Sequence, residues 1–315
     1  MKMRNCPNCG GAVVKGAKYC RYCGSSLKKK RSKAATFFLT MLKCAVYYAI
    51  YFGITVAVEV FHEFLIIART GINPGPVGSD SYQEFFNILS ERYCEYGILS
   101  AILVLLTYFI IFTVRKKKMA EEVRLNRIKT GNFLTLCVFG VSAQAVVSSA
   151  MVVIYTLKPK LEQYSVSDDF DNLLANADFL TQFLFIAVVT PLLEETVFRG
   201  LIFTRMKRVM PTGAAVLLSA IAFGAAHGNW EQFIYAFLLG IVCAAAFERF
   251  DTMWASYAVH FAFNASSYLV WMLPGGFYHS VAAMFIFAGV SLISLVIVFL
   301  TDNKPEKAEI KYEAL

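Results

Sequence analysis

The sequence predicts an all-α polytopic membrane protein with about eight transmembrane helices, preceded by a small ribbon that contains four cysteines. Of the 315 residues, 57% are hydrophobic and only 17% are charged, which excludes an ordinary soluble domain. Eight apolar runs of 17 to 26 residues have the length that an α-helix needs to cross a bilayer. The basic residues stand in short clusters between these runs, so the net charge of +8 indicates membrane topology and no nucleic-acid partner.

Two Cys-x-x-Cys-Gly knuckles near the N-terminus predict a structural zinc site. The knuckles contain Cys6, Cys9, Cys20 and Cys23. Four thiolates at this spacing suit tetrahedral zinc, and a segment this short has no apolar core on which to fold. Two disulfides are the alternative, but they require an oxidising compartment. The segment resembles the zinc ribbons at the N-termini of many bacterial membrane proteins.

The apolar runs divide the remaining chain. They cover residues 34–58, 97–114, 132–157, 179–203, 212–228, 232–248, 252–273 and 279–300. We expect a ribbon at 1–27, a basic linker at 28–33, two helices with an outer loop at 34–130, a helical core at 131–301 and a cytosolic tail at 302–315. The fifth and sixth runs are short and nearly adjacent, which is compatible with a tight hairpin that does not reach both surfaces.

Lysine and arginine set the expected orientation. They cluster before the first run, between the second and third, and between the fourth and fifth, whereas the alternate loops are acidic. The positive-inside rule then places both termini in the cytosol, and we expect a bacterial plasma membrane whose anionic lipids contact the linker. In the outer loop, His62 precedes Glu63 as in a zincin helix, but Ile66 stands where the second histidine is needed, so we expect an interfacial segment.

The stretch 190–200 places three ionisable residues inside an apolar run. They are Glu194, Glu195 and Arg199. On a helix, Glu195 and Arg199 share a face and can pair, whereas Glu194 is rotated by about 100° and needs another partner. Charge at bilayer depth indicates a functional site, although a cytosolic helix end with charges snorkelling to water is the alternative.

Two later runs add further polar groups. His227 follows Phe223 at the end of the fifth run, and the seventh run contains His260 and Asn264, which lie one helical turn apart. A lone histidine in an apolar helix usually packs without catalytic function. Several buried polar groups on different helices are expected to converge in the bundle interior, since each needs a partner.

These residues carry a family resemblance. Glu-Glu-x-x-x-Arg, Phe-x-x-x-His and His-x-x-x-Asn on successive helices resemble the CPBP (Abi) intramembrane proteases, which include the type II CAAX prenyl endopeptidases. The resemblance covers roughly residues 130–300. It implies an endopeptidase acting on a membrane-associated peptide or protein. In that role Glu194 activates water with His227, while His260 and Asn264 donate to the oxyanion and Arg199 pairs with Glu195 or holds a substrate carboxylate.

Three alternatives remain open at this stage. Glu194, His227 and His260 also form a two-histidine, one-carboxylate set that could hold catalytic zinc. The chain could instead be a catalytically inactive membrane adaptor whose ribbon binds a cytosolic protein, or an immunity-type protein on the same scaffold. A proton-coupled carrier is the third reading, although we find no Gly/Pro-broken helices in repeated halves.

Overall fold

The computed structural model describes residues 3–14, 17–25, 32–158, 173–174, 176–271 and 281–300. The chain divides into two compact units, Met1–Leu42 and Lys43–Leu315. Residues 28–31 of the linker, the acidic loop 159–172, His279 and the C-terminal tail lie outside these described ranges. Ten helices are distinguished in these ranges: α1 Lys33–Thr70, α2 Asp80–Glu91, α3 Tyr93–Val114, α4 Met119–Glu122, α5 Thr130–Leu157, α6 Phe179–Met206, α7 Thr212–Ala225, α8 Trp230–Phe250, α9 Met253–Trp271 and α10 Val281–Leu300.

The N-terminal unit contains the only sheet found among the described residues. Strand β1, Met3–Asn5, pairs antiparallel with β2, Ala12–Val14. Each cysteine knuckle closes with a bond from a glycine N–H to the carbonyl of the first cysteine, from Gly10 to Cys6 and from Gly24 to Cys20, both at 2.9 Å. Both glycines have positive φ, 72° and 68°, a conformation that costs glycine little. The local sequence therefore builds the same turn twice.

The predicted all-α polytopic architecture is confirmed. Each of the eight apolar runs becomes a helix, and five helices in the described ranges are long and apolar enough to cross a membrane: α1, α3, α5, α6 and α8. Helix α7 has only 14 residues and packs closely on α8, as the hairpin interpretation requires. The 21-residue α8 is longer than the predicted run and long enough to span, so the expectation of a short second arm was wrong.

The predicted end of the first helix was also wrong. Helix α1 continues without interruption to Thr70, through residues expected in an outer loop. The 38-residue helix is about 57 Å long at ~1.5 Å per residue, more than the ~30 Å thickness of the bilayer hydrocarbon. Glu59, His62 and Glu63 are therefore helical residues. The predicted run ended at the first acidic residues, because it was defined by hydropathy. The hydrogen-bonded helix continues beyond the apolar stretch.

Polar contacts in the basic loops fix the ends of two helices. Near the end of α6, Arg205 donates to Glu122 with its Nη2 2.8 Å from Oε2. Before α9, the Thr252 hydroxyl donates to the carbonyl of Asn126 at 2.6 Å, and the Met253 N–H donates to the carbonyl of Arg124 at 3.0 Å. These bonds hold α6 and α9, the helices that carry Glu194 and His260, to α4 and the loop that follows it.

Helices α5 and α9 pack closely at Gly140. A Cβ atom added there would lie 2.4 Å from the carbonyl oxygen of Val259, which is backbone and cannot swing aside. We expect Gly140→Ala to destabilise the bundle by about 1–3 kcal/mol. Gly131→Ala in the same helix is the control, because a Cβ there meets nothing within 4 Å. Thermal unfolding in detergent should show a lower Tm for the first variant alone; equal Tm values would contradict this close packing.

Candidate active site

Helix α6 carries the three predicted charged residues through the interior of the bundle. Every residue from Leu193 to Met206 is buried. A helix that is covered on all faces is surrounded by other helices and not by lipid. The charges therefore lie in the protein interior, and the alternative of a helix end whose charges reach water does not hold.

Two segments of α6 are π-helical, Leu184–Val189 and Glu195–Phe203. Pro191 lies between them and has no N–H to donate to the carbonyl four residues earlier, which favours a wider turn. Such turns are rare and occur often at functional sites. Here two carbonyls of the first π segment accept bonds from α9: Ile186 from the amide of Asn264 at 3.0 Å and Val188 from the hydroxyl of Tyr257 at 3.4 Å.

Glu195 joins Arg199 and His260 in one buried network. Its Oε1 lies 2.9 Å from Nη1 of Arg199 and 2.9 Å from Nδ1 of His260. The second Arg199 nitrogen donates to the carbonyl of Gly240 at 3.3 Å, and the guanidinium lies 4.3 Å from the ring centre of Phe223. A carboxylate paired with arginine only accepts hydrogen bonds, so Nδ1 of His260 carries the donated proton. The network fixes the orientation of the imidazole.

Glu194 lies on the other side of the same imidazole. Its Oε2 is 3.6 Å from Nε2 of His260, so the histidine stands between two carboxylates. The Glu194 side chain is buried, and Oε2 has no hydrogen-bond partner among the described residues. Buried polar atoms are usually satisfied. This oxygen is therefore available to a water molecule or to a substrate group.

His227 and Asn264 border this network without a polar contact to it. His227 follows α7 and donates from Nδ1 to the carbonyl of Phe223 at 2.9 Å, since a carbonyl oxygen can only accept. Both histidines contact the ring of Phe223, whose centroid lies 5.0 Å from that of His227 and 5.6 Å from that of His260. The amide of Asn264 is tied to the carbonyl of Ile186. Glu194, Glu195, Arg199 and His260 thus contact one another, whereas the other two lie at the edge of the cluster.

The ribbon contains a second cluster, whose geometry fits a metal ion. The four thiols of the knuckles lie within 4.8 Å of one another, with Sγ–Sγ distances of 3.8 Å for Cys6–Cys23 and 3.7 Å for Cys9–Cys20. A tetrahedron with metal–sulfur bonds of ~2.3 Å has edges of about 3.8 Å. The Ser25 hydroxyl lowers the pKa of Cys23 to about 5, which favours the thiolate. All four cysteines are free, so the disulfide alternative was wrong.

Residues 176–266 match the family model described as "Rce1-like: Type II CAAX prenyl endopeptidase Rce1-like". The match includes all seven residues of the three sequence motifs. This segment is Rce1-like. No curated protein and no solved structure matches the chain significantly.

The Rce1-like segment covers less than a third of the chain, and less than the residues 130–300 over which the sequence resembles the family. It consists of α6, α7, α8 and most of α9, with the buried network at its centre. Helices α1, α3 and α5 lie outside the match but contact it: the thiol of Cys44 in α1 donates to the carbonyl of Ile202 at 3.7 Å. The family match supports endopeptidase activity in general and assigns no role to an individual residue.

Several groups that interact with the site residues could not be predicted from the sequence. The carbonyls of Gly240 and Ile186 are backbone groups, which every residue possesses, and only packing shows that they accept from Arg199 and Asn264. Tyr51 of α1 interacts electrostatically with Glu194 from outside the matched segment. A tyrosine in a first membrane helix is too common to have indicated this position.

Proposed function

We propose that the chain is an intramembrane endopeptidase that hydrolyses a membrane-associated peptide or protein, with Glu194 as the general base. The observation that carries this proposal is the buried Glu194 carboxylate, whose Oε2 has no hydrogen bond from any residue that the structure describes and lies 3.6 Å from Nε2 of His260. Burial away from water makes a carboxylate a stronger base. The Rce1-like match of the surrounding segment supports the same reaction class.

In the proposed reaction, Glu194 takes a proton from a water molecule, whose oxygen attacks the peptide carbonyl. The proton then passes to the leaving amine as the C–N bond breaks. His227 helps to hold the water: its Nδ1 is engaged with Phe223, so its Nε2 is the free acceptor. Asn264 uses one amide hydrogen on Ile186 and retains the other for the developing oxyanion.

His260 has a role that depends on its protonation. Because Nδ1 donates to Glu195, Nε2 accepts in the neutral ring and donates only in the imidazolium form. The protonated His260 therefore stabilises the oxyanion through Nε2. Glu195 accepts from Nδ1 in both protonation forms. Glu195 and Arg199 are positioning residues in this scheme, since they act through His260.

The geometry favours a reaction that needs no catalytic metal. Among the described residues, the ribbon thiols are the one group of three or more ligand atoms close enough for a metal ion, and Glu194, His227 and His260 do not form another. We assign structural zinc to the ribbon, because four thiolates in a tetrahedral arrangement are typical of closed zinc sites.

Removing two ribbon thiols tests both metal assignments. The purified chain is expected to contain about one zinc per molecule, and Cys6→Ser/Cys9→Ser to contain almost none, because a structural site needs all four ligands. Cys137→Ser, which removes a free cysteine of α5, should keep its zinc. Elemental analysis measures all three. One zinc remaining in the double variant would place a metal at the membrane site, and a zinc-free parent chain would contradict the ribbon assignment.

Reconstitution tests the activity itself. Proteoliposomes that contain the chain and a library of membrane-spanning peptides are expected to produce new peptide termini, which mass spectrometry detects. Empty liposomes and liposomes with a denatured sample are the controls. No new terminus with any peptide would favour the alternative of an inactive membrane adaptor.

For topology, we propose that both termini face the cytosol of a bacterial cell. The ribbon supports this, since a four-thiolate zinc site requires reduced cysteines, which the cytosol maintains. The basic loop between α3 and α5 and the basic end of α6 lie together, joined by the Arg205–Glu122 contact, as loops on one side of a membrane must.

A further inference from the structure

A cavity of about 330 Å³ lies between α1, α3 and α6, largely outside the Rce1-like segment. This volume is within the range of small-ligand sites. The sequence motifs assign nothing to it, and the proposed hydrolysis does not use its polar side chains. The cavity therefore requires its own explanation.

One end of the cavity lies beside the residue that precedes the proposed catalytic carboxylate, although Glu194 itself does not line it. Leu193, the residue before Glu194, lines it, as does Tyr51, which interacts electrostatically with Glu194. From Tyr51 the lining follows every fourth residue of α1, through Thr55 and Glu59 to Glu63. Residues four apart share a helix face. At ~1.5 Å per residue the stripe is about 18 Å long.

The far end of the cavity is acidic. Glu59 and Glu63 line it one helical turn apart, and neither forms an ion pair with the part of the chain that the structure describes. The neighbouring charges Arg92 and Glu95, which both act on His62, are of opposite sign and offset one another.

His62 provides an independent indication of a ligand. Its side chain lines the cavity and is only 4% exposed, yet it makes no hydrogen bond within the described ranges. Its ring stacks on Tyr96, with centroids 3.8 Å apart and planes inclined by 12°. Its ring nitrogens are not among the fully enclosed polar atoms that lack a partner, so they face the free volume of the cavity, where a ligand group can bond to them.

The chemistry of these groups favours an organic cation. Two carboxylates, an imidazole and a tyrosine ring attract a Lys, Arg or amino group through charge, hydrogen bonds and the aromatic face. A bare metal ion fits less well, because among the described residues only the ribbon cysteines bring three ligand atoms within 4.8 Å of one another.

We propose that this cavity is a substrate subsite for a basic side chain or free amine of the membrane peptide; this rests on the proposed endopeptidase function. Glu59 lies eight residues beyond Tyr51, about 12 Å along the helix axis at ~1.5 Å per residue. An extended peptide covers that distance in about four residues at ~3.3 Å each. The subsite thus selects a positive charge about four residues of extended peptide beyond the position of Tyr51.

Binding to an inactive chain tests the subsite apart from catalysis. The Glu194→Gln chain in nanodiscs is titrated with dye-labelled membrane-spanning peptides that differ at one position: lysine, norleucine or glutamate. Because lysine can form one charge-assisted contact that norleucine lacks, we expect the lysine peptide to have a Kd about tenfold lower than the norleucine peptide. Glu59→Gln/Glu63→Gln should remove this preference. Glu84→Gln, which neutralises an exposed carboxylate of α2 outside the cavity, should retain it.

The outcomes separate the two proposals. Equal binding of the lysine and norleucine peptides, or a preference that survives Glu59→Gln/Glu63→Gln, would overturn the subsite. A lysine preference in a chain whose unsubstituted form cleaves nothing would support the cavity as a cation site and overturn the endopeptidase proposal. If the position of the cleaved bond shifts when the lysine is placed at another position, both the subsite and the endopeptidase proposal are supported.

Discussion

Replacing Glu194 by glutamine is expected to abolish peptide hydrolysis while leaving the protein folded. Glutamine has almost the same shape but cannot accept the proton of the attacking water. Loss of a general base typically lowers the rate about 10²- to 10⁴-fold. Because Oε2 of Glu194 has no hydrogen bond among the described residues, neutralising this buried group should keep or raise the free energy of unfolding. Peptide cleavage in proteoliposomes and thermal unfolding in detergent measure the two effects.

The combination of lost activity and preserved stability distinguishes a catalytic carboxylate from a structural one. Glu91→Gln removes an exposed carboxylate at the end of α2 and should alter neither measurement. Cleavage by the Glu194→Gln chain at the parental rate would end the glutamate-base proposal. A large fall in Tm would instead identify Glu194 as part of the scaffold.

Replacing Arg199 by methionine is expected to destabilise the bundle strongly. The side chains of Arg199 and Glu195 are 1% and 0% exposed, and methionine leaves the Glu195 charge buried without its main partner. Breaking a buried pair on one side typically costs about 3–5 kcal/mol. A second change, Glu195→Gln, should recover part of that loss, since it removes the uncompensated charge. Thermal or denaturant unfolding of the purified variants measures these differences.

A matched exposed pair is the control. Lys207 pairs with Glu248 near the end of α6, where the two side chains are 22% and 37% exposed. Exposed pairs contribute about 0–1 kcal/mol, so Lys207→Met should leave Tm almost unchanged. Similar losses for Arg199→Met and Lys207→Met would show that the buried network does not support the fold.

Local sequence patterns were sufficient to predict most of the helices and part of the candidate site. Runs of apolar residues predicted all eight long helices, because backbone groups in lipid must be satisfied within a helix. The four-residue spacing of Glu195 and Arg199 predicted a pair that the structure contains. Hydropathy failed at the end of α1, where the charges of Glu59 and Glu63 interrupt an apolar run but not the helix.

Contacts between distant segments could not be predicted from the sequence. Spacing along α9 could not show that His260 lies between Glu194 and Glu195, or that Asn264 is held by the carbonyl of Ile186. The expected convergence of all four catalytic candidates is only partly realised: His227 and His260 both contact the ring of Phe223, but no hydrogen bond joins them among the described residues. These positions follow from the packing of α6 against α7 and α9, which has no local signature.

The sequence alone determined which segments are helical, which residues carry charge into the membrane and which four thiols can hold a metal ion. Each of these follows from residue type and short-range spacing, which act through hydropathy, helix period and ligand chemistry. The tertiary structure determined that the Glu195 carboxylate is hydrogen-bonded and that Oε2 of Glu194 is available. It also determined the cavity between α1, α3 and α6. Hydrogen-bond partners and empty volume depend on the positions of several helices at once, so only the folded bundle defines them.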